Sequence, residues 1–180
     1  MDFMLGTWNV RGIGYKTDKL CLELKNSKSD TAVISKTKKT SKGTLDVGPY
    51  IMVYSGVPTE KWASWMAILV KKEWKNKTLH YQWISTWIIK LRFKFLKITL
   101  TTIGVYAPVE GQDDGTNDFY GEMPDAIQNV NKRECLIIAR DLNARVGNQS
   151  LMEVLVWTEN KQQRRTDQHS QISDYFITLK

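Results

Sequence analysis

Two residues near the C-terminal third of the chain, Asp141 and Asn143, offer a carboxylate and a carboxamide two positions apart. They follow Cys135 to Ala139, an unbroken small or aliphatic run of the length of a strand buried on both faces. The run ends abruptly at Arg140, where a buried sheet would meet solvent. If the strand continues, Asp141 and Asn143 project the same way. Strand ends commonly carry catalytic groups, because the sheet fixes them while the adjoining loop gives access. Asp-x-Asn after a strand is equally ordinary turn chemistry. Other polar residues stand at comparable places: Asn9 near the end of a first apolar run, Lys36 directly after a second, Tyr106 at the end of another, and Asp174 ahead of a last one.

The elements that would position them can be read in order. Phe3 to Arg11 reads as a strand, rich in aromatic and apolar residues and stopped by Gly12 and Gly14. Thr17 is placed to cap a helix whose Leu20, Cys21 and Leu24 share one face. Thr31 to Ser35 is a short buried strand, and strand, helix, strand suggests a parallel crossover. The segment 36–43, with Lys36, Lys38, Lys39 and Lys42, has no apolar periodicity and predicts a mobile basic loop. Tyr50 to Gly56 and Trp65 to Val70 read as strands. Lys71, Lys72 and Lys75 follow with Trp74 interleaved, which is either a nucleic-acid surface or, the favoured reading, a charged strand end with one aromatic packed beneath it.

From Ile89 to Phe95 apolar residues alternate with Lys90, Arg92 and Lys94, which predicts a half-buried antiparallel strand with a solvated cationic face. Ile98 to Tyr106 is its expected hairpin partner. Gly111 to Thr116 reads as a loop. Phe119, Met123, Ile127 and Val130 fall at helical spacing, while Pro124 predicts a kink or a late helix start. Met152 to Trp157 and Asp174 to Leu179 read as strands, and Asn160 to Ser170 as a polar loop containing Arg164 and Arg165.

With 180 residues, 42% of them hydrophobic and 25% charged, the chain has the size of one domain with a real core. A net charge of +7 favours polyanionic partners such as nucleic acid, although lysines spread over solvated faces give the same total. No apolar run approaches a membrane span and no leader-like segment opens the chain, so a soluble intracellular protein is expected. Cys21 and Cys135 fall in a helical pattern and in the buried run, and a disulfide framework is not expected.

Taken in order, the segments TWNVRG, VISKTKK, VYSGVP, GVYAPVEG, FYGEM, LIIARDLNARVGNQ and ISDYFI resemble the endonuclease/exonuclease/phosphatase domain, the DNase I-like fold. More narrowly they are similar to the version found in LINE-type non-LTR retrotransposons and the derived craniofacial development protein family. The resemblance spans nearly all of residues 3 to 179. It implies an α/β four-layer sandwich, two packed mixed β-sheets flanked by helices, in a single domain over 1–180 that is shortened after 147 and lacks the last strand with its Asp-His motif. It also implies Mg²⁺-dependent phosphodiester hydrolysis, with Mn²⁺ as the alternative ion, and DNA, or RNA, bound through the basic surface of a monomer. A nuclear location follows from the same likeness.

Carried over by motif, Asn9 would orient phosphate or metal and Tyr106 would hydrogen-bond the phosphate. Asp141 would position and deprotonate the water and contribute to the metal site, Asn143 would hold the nucleophile, and Asp174 would support the phosphate-binding histidine or the substrate. The sequence departs from the pattern at decisive places. Where the family has Ser-Glu-Thr-Lys, whose Glu is the principal metal ligand, this chain has Ser35, Lys36, Thr37 and Lys38. Position 140 is Gly in the family and Arg140 here. Trp62 and Trp87 stand where relatives often carry Arg, and Trp65 about where they have Gly. His80 and His169 lie outside the Asp-His motif and read as structural or solvated. The expectations are therefore an impaired endonuclease, a non-catalytic nucleic-acid-binding remnant, or a phosphatase-type member of the superfamily.

Overall fold

The structure, a computed structural model, describes residues 3–56, 66–108, 116–146, 149–158, 161–165 and 175–179; for 116–117 and from 140 onward only the backbone is described. In chain order the strands are β1 (Phe3–Asn9), β2 (Thr31–Ser35), β3 (Lys42–Val47), β4 (Tyr50–Ser55), β5 (Met66–Lys71), β6 (Thr78–Trp83), β7 (Ile88–Lys94), β8 (Thr99–Tyr106), β9 (Cys135–Val146), β10 (Gln149–Thr158), β11 (Lys161–Arg165) and β12 (Tyr175–Leu179). Among the described residues two α-helices, α1 (Thr17–Asn26) and α2 (Thr116–Gln128), lie between them. The strands form two six-stranded sheets, ordered β12-β1-β2-β5-β4-β3 and β11-β10-β9-β8-β7-β6.

Alternation along β5 explains the layering. Met66, Ile68 and Val70 belong to the core between the sheets, while Ala67 and Leu69 belong to a second core with Leu20 and Leu24 of α1. β2 does the same, with Val33 on one side and Ala32 and Ile34 on the other. Both strands are buried on two faces, as a sheet covered by a helix and by another sheet requires. On the far side of the second sheet, Phe119 and Ala126 of α2 are buried and Met123 and Ile127 pack against the same core. The order is thus helix, sheet, sheet, helix.

Each sheet contains one parallel pair, β1 with β2 and β8 with β9. The predicted crossover through α1 is confirmed. Several local expectations change. Lys16, not Thr17, occupies the N-cap of α1, with no side-chain cap bond. The basic loop is shorter than predicted because β3 starts at Lys42; its Leu45 is half exposed, so this edge strand carries little apolar alternation to read. The Asn160 to Ser170 loop contains β11, which pairs with β10. Pro124 lies inside α2, which begins at Thr116 and does not start late.

The cationic face of β7 is solvated only in part: Lys94 is exposed and Arg92 half-buried, while Lys90 is covered. Lys90 is 8% exposed beneath α2, where its ammonium donates to the Ala126 carbonyl at 3.4 Å. Arg92 forms a two-point ion pair with the buried Glu134 carboxylate, which also accepts the Thr101 hydroxyl at 2.5 Å. By contrast, the reading of Trp74 as an aromatic beneath a charged strand end holds: it sits edge-on to Phe3 and Phe95 at 5.6 Å and donates to Asp30 at 3.1 Å. Among the described residues no helix is long and apolar enough to cross a membrane.

At Gly104 the two sheets approach closely. A Cβ there would stand 2.5 Å from Met66 Cε and 3.2 Å from Ile68 and Val33 methyls. Gly104→Val should lower the unfolding free energy by about 1–3 kcal/mol, the usual cost of overpacking, measured by urea denaturation. Burial alone would raise the Glu134 pKa, but the Arg92 and Thr101 hydrogen bonds and the nearby cations outweigh it and hold the carboxyl below its ordinary 4.5. The unfolded chain then binds this proton first. The stability it confers is complete above that ordinary value and is lost as pH falls through the depressed one. In acid titrations of stability, Glu134→Gln should show a flatter slope below about pH 4.5 than the parent.

Candidate active site at the strand ends

Whether the two parallel pairs end on the same side decides whether a site can exist. At one end of the sandwich, Phe3 at the start of β1 packs its ring 5.4 Å from Phe93 and 5.3 Å from Phe95. Phe93 is paired with Leu100, at the start of β8. At the other end, Ser35, Met66 and Ser55 form one row across the first sheet. The Ser55 hydroxyl donates to the Ser85 carbonyl at 3.2 Å, just ahead of β7, whose Ile88 pairs with Val105. Trp83 Nε1 adds a bond to the Tyr54 carbonyl at 2.9 Å. The starts of β1 and β8 therefore lie together, and so do the C-terminal ends of β1, β2 and β8. β9, parallel to β8, also packs over β1 and β2.

This geometry sets four of the anticipated positions at one end of the sandwich. Asn9 is the cross-strand partner of Ser35, and Lys36 follows directly. Tyr106 is the partner of Asp141 in the other sheet. β9 does not stop at Arg140 as expected but continues to Val146, so Asp141 and Asn143 lie within a strand. Its ladder to β10 skips there: Asp141 pairs with Met152 and Arg145 with Ser150, leaving 142–144 as a bulge that contains Asn143. Bulges of this kind often re-aim residues beside functional sites. The side chains of Arg140, Asp141 and Asn143 are not among those described, and Asp174, Trp62, Trp65 and His169 lie outside the described residues altogether. His80 lies in β6, away from this end.

The described groups have defined environments. Asn9 Oδ1 accepts the Arg11 N–H at 3.3 Å, closing a tight turn at the end of β1. Beyond the strands the two chains keep exchanging hydrogen bonds, from Gly12 N–H to the Lys36 carbonyl at 2.6 Å and from Ile13 N–H to the Thr37 carbonyl at 3.0 Å. Gly12 meets this with φ +103°, and Lys36 itself is left-handed at φ 56°. Lys36 is half-buried. Tyr106 is 8% exposed and its ring stacks on Trp87, planes 1° apart and centroids 6.3 Å apart. The Tyr106 N–H donates to the Trp87 carbonyl at 3.0 Å. The role of Trp87 as a platform for Tyr106 was not legible in the sequence, where it stood only as an aromatic in place of Arg.

Of the described residues at this end, Lys36 does not fit a hard divalent cation. Such an ion wants anionic oxygens, whereas Lys36 presents an ammonium with no lone pair and adds repulsion. Among the described residues no group of three His, Cys, Asp or Glu side chains is placed to share a metal ion.

Over 79% of its length the chain superposes on an AP endonuclease from Archaeoglobus fulgidus with TM-score 0.61, covering 58% of that chain at 16% identity. The endonuclease domain of TRAS1, a telomere-specific non-LTR retrotransposon, matches 80% of this chain and 60% of its own at TM-score 0.60 and 14% identity. The chain has the DNase I-like fold. Its sequence is 29% identical over 152 residues to craniofacial development protein 2 of Bos taurus, covering 83% of this chain and 26% of that protein. It thus spans about a quarter of the length of the curated relatives it matches. No family profile matches. In this DNase I-like chain Trp87 packs beneath Tyr106, and Trp87→Ala should cost about 3–5 kcal/mol in a denaturation experiment, the range for removing a buried aromatic.

Proposed function

We propose that this chain is a retrotransposon-type endonuclease domain, shaped to hydrolyse phosphodiester bonds in DNA, whose catalysis is impaired by Lys36 at the place of the metal-binding carboxylate. The observation that carries the reading is the convergence of Asn9, Lys36, Tyr106 and Asp141 on one end of the sandwich, drawn from both sheets. The likeness to the TRAS1 endonuclease domain and to craniofacial development protein 2 supports the retrotransposon origin.

Phosphodiester hydrolysis needs a held phosphate, an activated water and a counter-charge for the crowded phosphorane-like state. In this reading Tyr106, fixed by Trp87, and Asn9, fixed by its turn, hold the phosphate. Asp141 takes the proton of the attacking water, Asn143 in its bulge aligns that water, and Asp174 supports the substrate. Mg²⁺ is the ion this chemistry ordinarily recruits, and Lys36 opposes it. The lysine supplies a fixed positive charge instead, which attracts a phosphate but lowers no water pKa. Arg11, Lys38 and Lys39 on the same loops, with Lys42 at the start of β3, extend the cationic rim along a nucleic-acid backbone, in a protein that works as a monomer in the nucleus.

Nicking of supercoiled plasmid during a Mg²⁺ titration tests this. Expected is slow nicking, abolished by Asp141→Ala and by Asn143→Ala and increased at least tenfold by Lys36→Glu at saturating Mg²⁺, a gain equivalent to about 1.4 kcal/mol in the barrier. Salt-sensitive DNA binding with no nicking in the parent or in Lys36→Glu would assign the domain to binding alone. Absence of both would end the proposal.

A further inference from the structure

A polar cavity lies at the other end of the second sheet, far along β9 from Asp141. It is open, about 310 Å³, and lined by His80, Gln82, Lys90, Arg92, Asn129, Asn131 and Glu134. The lining follows from register. His80 faces Arg92 and Gln82 faces Lys90 across the β6–β7 pair, so these four side chains share the face that α2 partly covers. Asn129 and Asn131 come from the chain leaving α2, and Glu134 from just before β9.

The charges do not balance. Glu134 spends both oxygens on Arg92 and one of them again on Thr101. Lys90, 8% exposed, has among the described residues one hydrogen bond, and that is a long one to a neutral carbonyl. Burial and the Arg92 charge push its pKa down against the pull of Glu134. A buried ammonium without its own counter-ion is costly, and sheet proteins rarely keep one unless something compensates it. The cavity opens beside this cation and carries amide groups able to donate to an oxyanion.

We propose that this cavity is a binding site for a phosphate group, free or carried on a small phosphate ester, with Lys90 as its principal cation and Gln82, Asn131 and His80 as hydrogen-bonding partners. The site is separate from the strand-end cluster and does not depend on the function proposed for it. A phosphate oxygen would meet the Lys90 ammonium and the Arg92 nitrogen not bonded to Glu134, leaving the Glu134 ion pair in place. The half-open mouth leaves room for the remainder of an ester.

The test is an amide-shift titration of the isotope-labelled chain with inorganic phosphate, a nucleoside 5′-monophosphate and the unphosphorylated nucleoside. Saturable shifts are expected at 80–82, 90–92 and 129–134 with the two phosphates and none with the nucleoside. Tighter binding of the monophosphate identifies an ester ligand, and equal affinities identify free phosphate. Lys90→Met, which keeps the buried stem, should weaken binding about tenfold or more, the loss of one charge-assisted hydrogen bond. Asp141→Ala should leave it unchanged. If Lys90→Met fails to fold, Asn131→Ala at the exposed rim should still weaken binding severalfold. Shifts confined to residues 36–42, shifts unchanged in both pocket variants, or no shifts at all would overturn the proposal.

Discussion

A parallel strand pair forces both of its chains to leave the sheet at the same edge, whereas an antiparallel pair sends them to opposite edges. This chain has one parallel pair in each sheet, and the facing of the sheets sets those edges side by side. The alignment is held at both ends by different chemistry. The rings of Phe3, Trp74, Phe93 and Phe95 lock the end where β1 and β8 begin. Hydrogen bonds from Ser55 and Trp83 lock the end where they finish. Aromatic packing tolerates small shifts but a directional bond to a carbonyl does not, so the precision lies where the polar residues gather.

The aromatic end has its own anchor. Asp30, 6% exposed, accepts the Met4 N–H at 2.7 Å, the Lys71 ammonium at 2.9 Å and Trp74 Nε1 at 3.1 Å. One carboxylate thereby ties the start of β1, the end of β5 and the aromatic cluster together. Its burial is tolerated because both of its oxygens find donors, one of them a cation. The lysine gains as well: burial would lower its pKa, yet Asp30 and Glu73 raise it above the ordinary lysine value.

The elements legible from sequence were those with a face to hide. β2, β5 and β7 declared themselves through apolar runs or alternation, and α2 through its helical spacing despite Pro124. β3 and β11 were missed because an edge strand paired on one side needs little apolar pattern; KGTLDV and KQQRR look like loops by composition. The continuation of β9 past Arg140 was hidden for the same reason, since polar residues there end the hydrophobic signal without ending the ladder. The positions Asn9, Lys36, Tyr106 and Asp141 could be named from motifs. Their convergence could not, because it depends on sheet facing. The buried state of Lys90 was equally invisible: alternation tells which face a residue takes, not whether a helix later covers it.

The strand-end loop explains how a residue as disruptive as Lys36 is tolerated. Its carbonyl and that of Thr37 are both held by the chain after β1, so the backbone at 36 is fixed from outside the residue itself. A left-handed φ costs a side-chain-bearing residue about 1–2 kcal/mol, and a Glu at this position would bear that cost as a Lys does. Exchange of carboxylate for ammonium therefore changes the charge of the site by two units with little effect on its shape. Fold and chemistry are decoupled at this position. Under the function proposed above, the chain keeps the DNase I-like architecture while Lys36 turns the electrostatics of the strand ends from attracting a metal ion to attracting a phosphate.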